Sequence, residues 1–118
     1  MQITSFRDLI VWQKSVDLVI LVYKLTENFP KSELFGLTSQ MRRSAVSIPA
    51  NIAEGRTRGS RKDFRHFLIN SLASASELET HIEIAKRLYN HDIDTVETDG
   101  LLKEVLKMLQ VMVSKLKT

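Results

Sequence analysis

The sequence predicts an all-α protein, an antiparallel up-and-down four-helix bundle, and three observations carry that expectation. Four stretches place apolar residues at alternating steps of three and four, the period of one helix face. Short connections marked by proline, glycine or polar runs separate them. The 118 residues, 43% hydrophobic and 26% charged, suit a soluble protein with a single core. No repeat, low-complexity run or linker divides the chain, so residues 1–118 read as one domain. Four helices joined by short loops pack as antiparallel neighbours.

The first helix is expected to begin at Ser5, whose spacing to Asp8 is that of a capping box. Leu9, Trp12, Val16, Val19 and Tyr23 form its predicted inner stripe, and Ile10, Val11, Leu18, Ile20 and Leu21 widen it. A helix this apolar needs more than one neighbour. Pro30 disfavours helical geometry at Phe29, which sets the end near Asn28.

The second helix begins between Ser32 and Thr38 and is expected to run to Glu54, with Leu37, Met41, Ala45, Ile48 and Ile52 inward. Pro49 removes one backbone hydrogen bond and crowds the Ala45 carbonyl, so a kink is expected there. Ser47 and Asn51 stand ready to bond carbonyls freed by it, and Gly55 reads as the helix stop. After a short basic loop, Gly55 to Gly59, Ser60 and Asp63 repeat the capping-box spacing.

The third helix has the clearest pattern: Phe64, Leu68, Ser71, Ala75, Leu78, Ile82, Ala85 and Tyr89, alternating four and three. The small residues at its middle allow close approach of another helix. A polar turn, Asn90 to Asp94, precedes a fourth helix whose stripe is Leu102, Val105, Leu109, Met112 and Leu116.

Charge is distributed unevenly along these helices. Between Arg42 and Arg65 lie seven cations, Arg42, Arg43, Arg56, Arg58, Arg61, Lys62 and Arg65, against Glu54 and Asp63, a local balance of +5 in a chain whose net charge is +3. A localised basic patch is the electrostatic footprint of a polyanion partner, and phosphate contacts come from such clusters. Arg61, Lys62, Arg65 and His66 also sit where the third helix's dipole is already positive, a placement that an anionic partner explains. Two readings stand side by side for Arg42 and Arg43: ion pairs with Glu77 or Glu79 on the neighbouring helix, or phosphate contacts. Trp12 reads as core or interface, because it lies on the apolar stripe.

Other chemistry finds little support in the residues. The chain has no cysteine, which removes disulfides and thiolate catalysis and fits a reducing compartment. His66, His81 and His91 form no H-E-x-x-H pattern; Glu77 and His81 are four apart where a di-iron bundle needs Glu-x-x-His twice. The run from Gly55 to Lys62 lacks the spacing of a phosphate-binding loop and follows no strand. The expectation is therefore a protein without metal, cofactor or catalytic activity. The N-terminal residues do not resemble a signal peptide, and the longest apolar run, Leu18 to Tyr23, is too short to cross a bilayer. A cytoplasmic location without membrane contact is expected. The wide apolar faces point to self-association or to a docking protein.

Several motifs carry a family resemblance: Trp12-Gln13, Phe29-Pro30, Glu33 to Gln40, Arg42 to Gly55 with its S-I-P-x-N-I-A-E-G core, Asp63 to Leu68 and Ser76 to Thr80. Together they closely resemble the small four-helix-bundle proteins encoded in intervening sequences of bacterial large-subunit ribosomal RNA genes. Ala75 departs from that pattern, standing where glycine is expected. The resemblance implies an up-and-down bundle, assembly as a homopentamer and a cytoplasmic location. A similar bundle serves as the accessory protein of diversity-generating retroelements, a basic pentameric barrel thought to bind nucleic acid and a reverse transcriptase. The expected function is thus a non-enzymatic, oligomeric protein that grips the phosphate backbone of RNA or DNA, with RNA preferred. A protein-interaction scaffold is the alternative.

Overall fold

A computed structural model describes residues 5–117, so residues 1–4 and 118, the ends of the expected domain, lie outside the described residues. The helices are α1 (Ile10–Thr26), α2 (Leu37–Arg58), α3 (Arg61–Tyr89) and α4 (Val96–Lys115), with single 3-10 turns at Phe6–Asp8, Lys31–Glu33 and Asn90–Asp92. They form the expected antiparallel bundle, measuring 44 × 23 × 22 Å. Each helix packs on the next, and α4 closes against α1. Among the described residues, no helix is long and apolar enough to cross a membrane.

Three of the four seams match the apolar period. Leu37, Met41, Ala45, Ile48 and Ile52 of α2, Leu68 to Ala85 of α3, and Leu102, Val105 and Leu109 of α4 are all buried. The α1 seam is shifted by one position from the predicted one. Val11, Ser15, Leu18, Val22 and Thr26 face the core, while Trp12, Val16 and Val19 are half-buried and Tyr23 is exposed. The cause is two polar residues that bury without penalty: Ser15 Oγ donates to the Trp12 carbonyl at 2.9 Å and Thr26 Oγ1 to the Val22 carbonyl at 2.8 Å. A hydroxyl satisfied by its own helix can occupy a core position that a search for apolar residues skips. Ser5 does act as a cap, but of the 3-10 turn, and α1 starts five residues later.

The α2–α3 interface is the most extensive, because small residues line it. Ser71 Oγ reaches the Ile48 carbonyl across it at 2.9 Å, and Ser47 and Ser74 hydroxyls meet at 2.9 Å. Ala75 sits fully buried in this contact, so its methyl is accommodated. The helix runs through Pro49 without interruption. Asn51 Nδ2 donates to the Ser47 carbonyl at 2.8 Å and to Ser47 Oγ at 3.0 Å, tying the residue to the serine pair and not to the Ala45 carbonyl.

Gly55 is not the stop of α2. The helix continues to Arg58, and Gly59, with φ of 87°, takes the left-handed conformation that ends it. The expected five-residue loop shrinks to Gly59 and Ser60, whose Oγ accepts from Asp63 N at 3.0 Å to start α3. Gly55 is instead buried against α3, where a Cβ would lie 2.6 Å from Phe67 Cβ.

At the other end of the bundle Glu33 joins two helices. Its carboxylate accepts from Tyr89 Oη at 2.9 Å and from Leu37 N at 3.4 Å. Burial first, and then the Glu33 hydrogen bond, raise the Tyr89 hydroxyl above the usual tyrosine range. A raised phenol contributes stability that is complete below its ordinary value near 10 and is lost as pH climbs through the raised one. Tyr89→Phe is expected to cost about 1 kcal/mol in urea unfolding at neutral pH, and to remove this alkaline component.

Candidate nucleic-acid interface

Antiparallel packing brings four helix ends together: the start of α1, the end of α2, the start of α3 and the end of α4. The chain reversal at Gly59 places Arg56 and Arg58 beside Arg61, Lys62 and Arg65. To these the fold adds Arg7 before α1 and Lys115 and Lys117 at the end of α4, with Asp8, Glu54 and Asp63 as the acids of this end. The opposite end is acidic, with Glu27, Glu33, Glu83, Asp92, Asp94, Glu97 and Asp99 outnumbering Lys24, Lys31, Lys86 and Arg87. The bundle is therefore polarised along its long axis.

Two of the cations have a structural duty. Arg61 Nη2 donates to the Lys115 carbonyl at 2.8 Å, and Arg65 Nε donates to the Val113 carbonyl at 3.1 Å. The last carbonyls of a helix have no partner within it, and that end carries partial negative charge. Cations at the start of α3 are thus compensated by the neighbouring end of α4, which accounts for their placement without an external anion. Each guanidinium has five N–H donors and spends one here, which leaves others available. Arg58 pairs with Glu54 at 3.0 Å and lies 5.1 Å from the Phe67 ring centroid, in a half-exposed position. Lys62 is exposed.

Arg42 and Arg43 do not join this cluster. They lie roughly 24 Å up α2 from Gly59 by helical rise. Arg42 stacks over Tyr23, 4.5 Å from the centroid, and donates through Nε to Thr26 Oγ1 at 2.9 Å. That contact pins α2 to α1. Arg43 is exposed beside Glu77 in a shared groove. Among the described residues, neither arginine forms an ion pair with Glu77 or Glu79; Glu77 instead meets His81 Nε2 at 3.4 Å.

Lys115 and Lys117 were invisible to a reading of local charge, since they are about fifty residues from the basic stretch. The expectation of an up-and-down bundle holds the signal, because it sets the end of the fourth helix beside the start of the third. Trp12 is half-buried against the core, with Phe6 at 5.2 Å and Arg7 at 5.7 Å. Among the described residues no group of three or more His, Cys, Asp or Glu is placed to hold a metal ion.

Comparison with known proteins puts this geometry in context. The profile of the family described as 23S rRNA-intervening sequence protein matches residues 7–111. A solved structure, a protein of unknown function from the S23 ribosomal protein family of Bacteroides thetaiotaomicron, superposes with a TM-score of 0.71. The two are 28% identical, over 92% of this chain and 100% of that one. No curated protein matches.

Proposed function

The chain belongs to the family of 23S rRNA-intervening sequence proteins, and from that premise we propose that it is a non-enzymatic, oligomeric protein that holds the phosphate backbone of structured RNA against its basic end. The observation that carries the reading is the convergence of three helix ends on Arg56, Arg58, Arg61, Lys62, Arg65, Lys115 and Lys117. Phosphates recognised by charge demand no base-reading groups, and this surface offers cations in number. The bonds from Arg61 and Arg65 to α4 hold two guanidinium groups in place, which reduces the ordering cost of a phosphate contact. Action in the cytoplasm, on RNA in preference to DNA, completes the proposal.

The test is a titration of the protein against an RNA hairpin and a DNA duplex at several salt concentrations. Affinity is expected to fall linearly on logarithmic axes as salt rises, with a slope of about −0.9 for each phosphate neutralised on duplex DNA. Absence of binding at low salt would overturn the proposal. The second reading, a protein-docking scaffold, draws on the apolar groove beside Phe35 and predicts contacts insensitive to salt.

A further inference from the structure

The basic end carries aromatic rings that phosphate binding does not use. Arg58, the last residue of α2, has its guanidinium carbon 5.1 Å from the centroid of the Phe67 ring on α3. His66 meets the same ring in a T-shaped contact, with centroids 5.4 Å apart and planes at 78°. Phe67 packs against α2 so closely that a Cβ on Gly55 would stand 2.6 Å from its own Cβ. The ring is half-buried, whereas His66 and Arg58 are exposed. The Arg58 side chain keeps 53% of its surface exposed even though it rests on Phe67 and pairs with Glu54 at 3.0 Å. Two contacts hold the guanidinium, and much of it still meets solvent. Charge alone requires neither a plane nor a ring behind it; a guanidinium plane and an aromatic ring are the surfaces on which nucleobases stack.

The neighbouring cations set where a phosphate backbone would lie. Arg65 is on the flank of α3 toward α4, where its Nε donates to the Val113 carbonyl at 3.1 Å. Phe67 is on the flank toward α2, beside Gly55. His66 comes between them in helical order, and Lys62 lies one turn before it on the same outward line. From Phe64 to Ser76 α3 has no acidic residue, and α4 has none after Glu104. A chain whose phosphates follow Lys62, Arg65 and the end of α4 therefore meets no carboxylate of these segments and passes directly beside Arg58 and His66.

We infer that Arg58, His66 and Phe67 form a platform on which an unpaired nucleobase stacks, so that the basic end takes a looped or single-stranded stretch of RNA in preference to a closed duplex. The inference rests on the phosphate reading above and adds to it the class of RNA. A base inside a duplex is covered on both faces by its neighbours, whereas a base in a loop can turn one face outward. Stacking on that face demands no particular sequence. The cations give affinity for any phosphate chain, and the platform gives the preference for unpaired nucleotides.

Two RNA hairpins of identical stem and identical phosphate count test the platform, one with a loop of ordinary nucleotides and one whose loop nucleotides are abasic. Wild type is expected to bind the first about tenfold more tightly at fixed salt. Arg58→Lys keeps the charge and loses the plane, and His66→Ala removes an exposed ring; in each, that ratio is expected to fall toward one. The ratio is the readout because phosphate contacts are common to both hairpins and cancel. Equal wild-type affinity for the two hairpins, with binding still weakened by salt, would overturn the platform and leave the phosphate reading standing. A ratio that survives intact in both variants would also overturn it, since the base would then stack elsewhere. Failure to bind either hairpin at low salt would overturn the phosphate reading and the platform together. Both substituted positions are exposed, and far-ultraviolet circular dichroism confirms that each variant is folded.

Discussion

Arg56→Glu/Arg58→Glu/Arg61→Glu is expected to lower RNA affinity about a hundredfold or more near 0.1 M salt, while the protein stays helical. Each replacement removes a cation and adds a repelling charge at the point where α2 turns into α3. Loss of the 2.8 Å bond from Arg61 to the Lys115 carbonyl frays the last turn of α4. Loss of the exposed Arg58–Glu54 pair costs little, because such pairs contribute under about 1 kcal/mol. The core residues buried along α2 and α3 are untouched. Filter binding with a structured RNA reads the affinity, and circular dichroism reads the fold; unchanged affinity in a folded variant would place the interface elsewhere.

Gly55→Ala is expected to destabilise the bundle. The new Cβ would stand 2.6 Å from Phe67 Cβ, 3.3 Å from the Phe64 carbonyl oxygen and 3.4 Å from Phe64 Cα. Two of these neighbours are backbone, so α2 and α3 must separate locally. Alanine is favoured over glycine within a helix by about 1 kcal/mol. Overpacking of this kind costs about 1–3 kcal/mol and outweighs that gain. Gly100→Ala supplies the contrast, since no atom lies within 4 Å of its added Cβ and the site is helical. Stability is expected to rise there by up to about 1 kcal/mol. Urea unfolding of the two variants should shift the midpoint in opposite directions.

How much of this was legible in the sequence varies from helix to helix, for identifiable reasons. The α3 seam from Leu68 to Ala85 could be read directly, because its small and apolar residues keep an unbroken period. The α1 seam could not, because Ser15 and Thr26 bury hydroxyls satisfied by their own helix while Ile10 and Ile20 face outward. Gly55 and Gly59 are equally plausible stops as letters; only the proximity of Phe64 and Phe67 separates a packing glycine from a left-handed one. The five cations from Arg56 to Arg65 were legible because they are close in sequence. Arg61 and Arg65 as partners of α4, and Arg42 as the anchor on Tyr23 and Thr26, depend on contacts between helices that no local pattern encodes.

The most direct measurement compares two triple variants of identical charge change against one structured RNA at fixed salt. One is Arg56→Glu/Arg58→Glu/Arg61→Glu at the basic end, and the other is Lys24→Glu/Lys31→Glu/Arg87→Glu at the acidic end. If the basic end is the interface, the first loses binding and the second retains most of it. Equal losses would mean that RNA responds to net charge alone, and would contradict a localised site at the Gly59 turn.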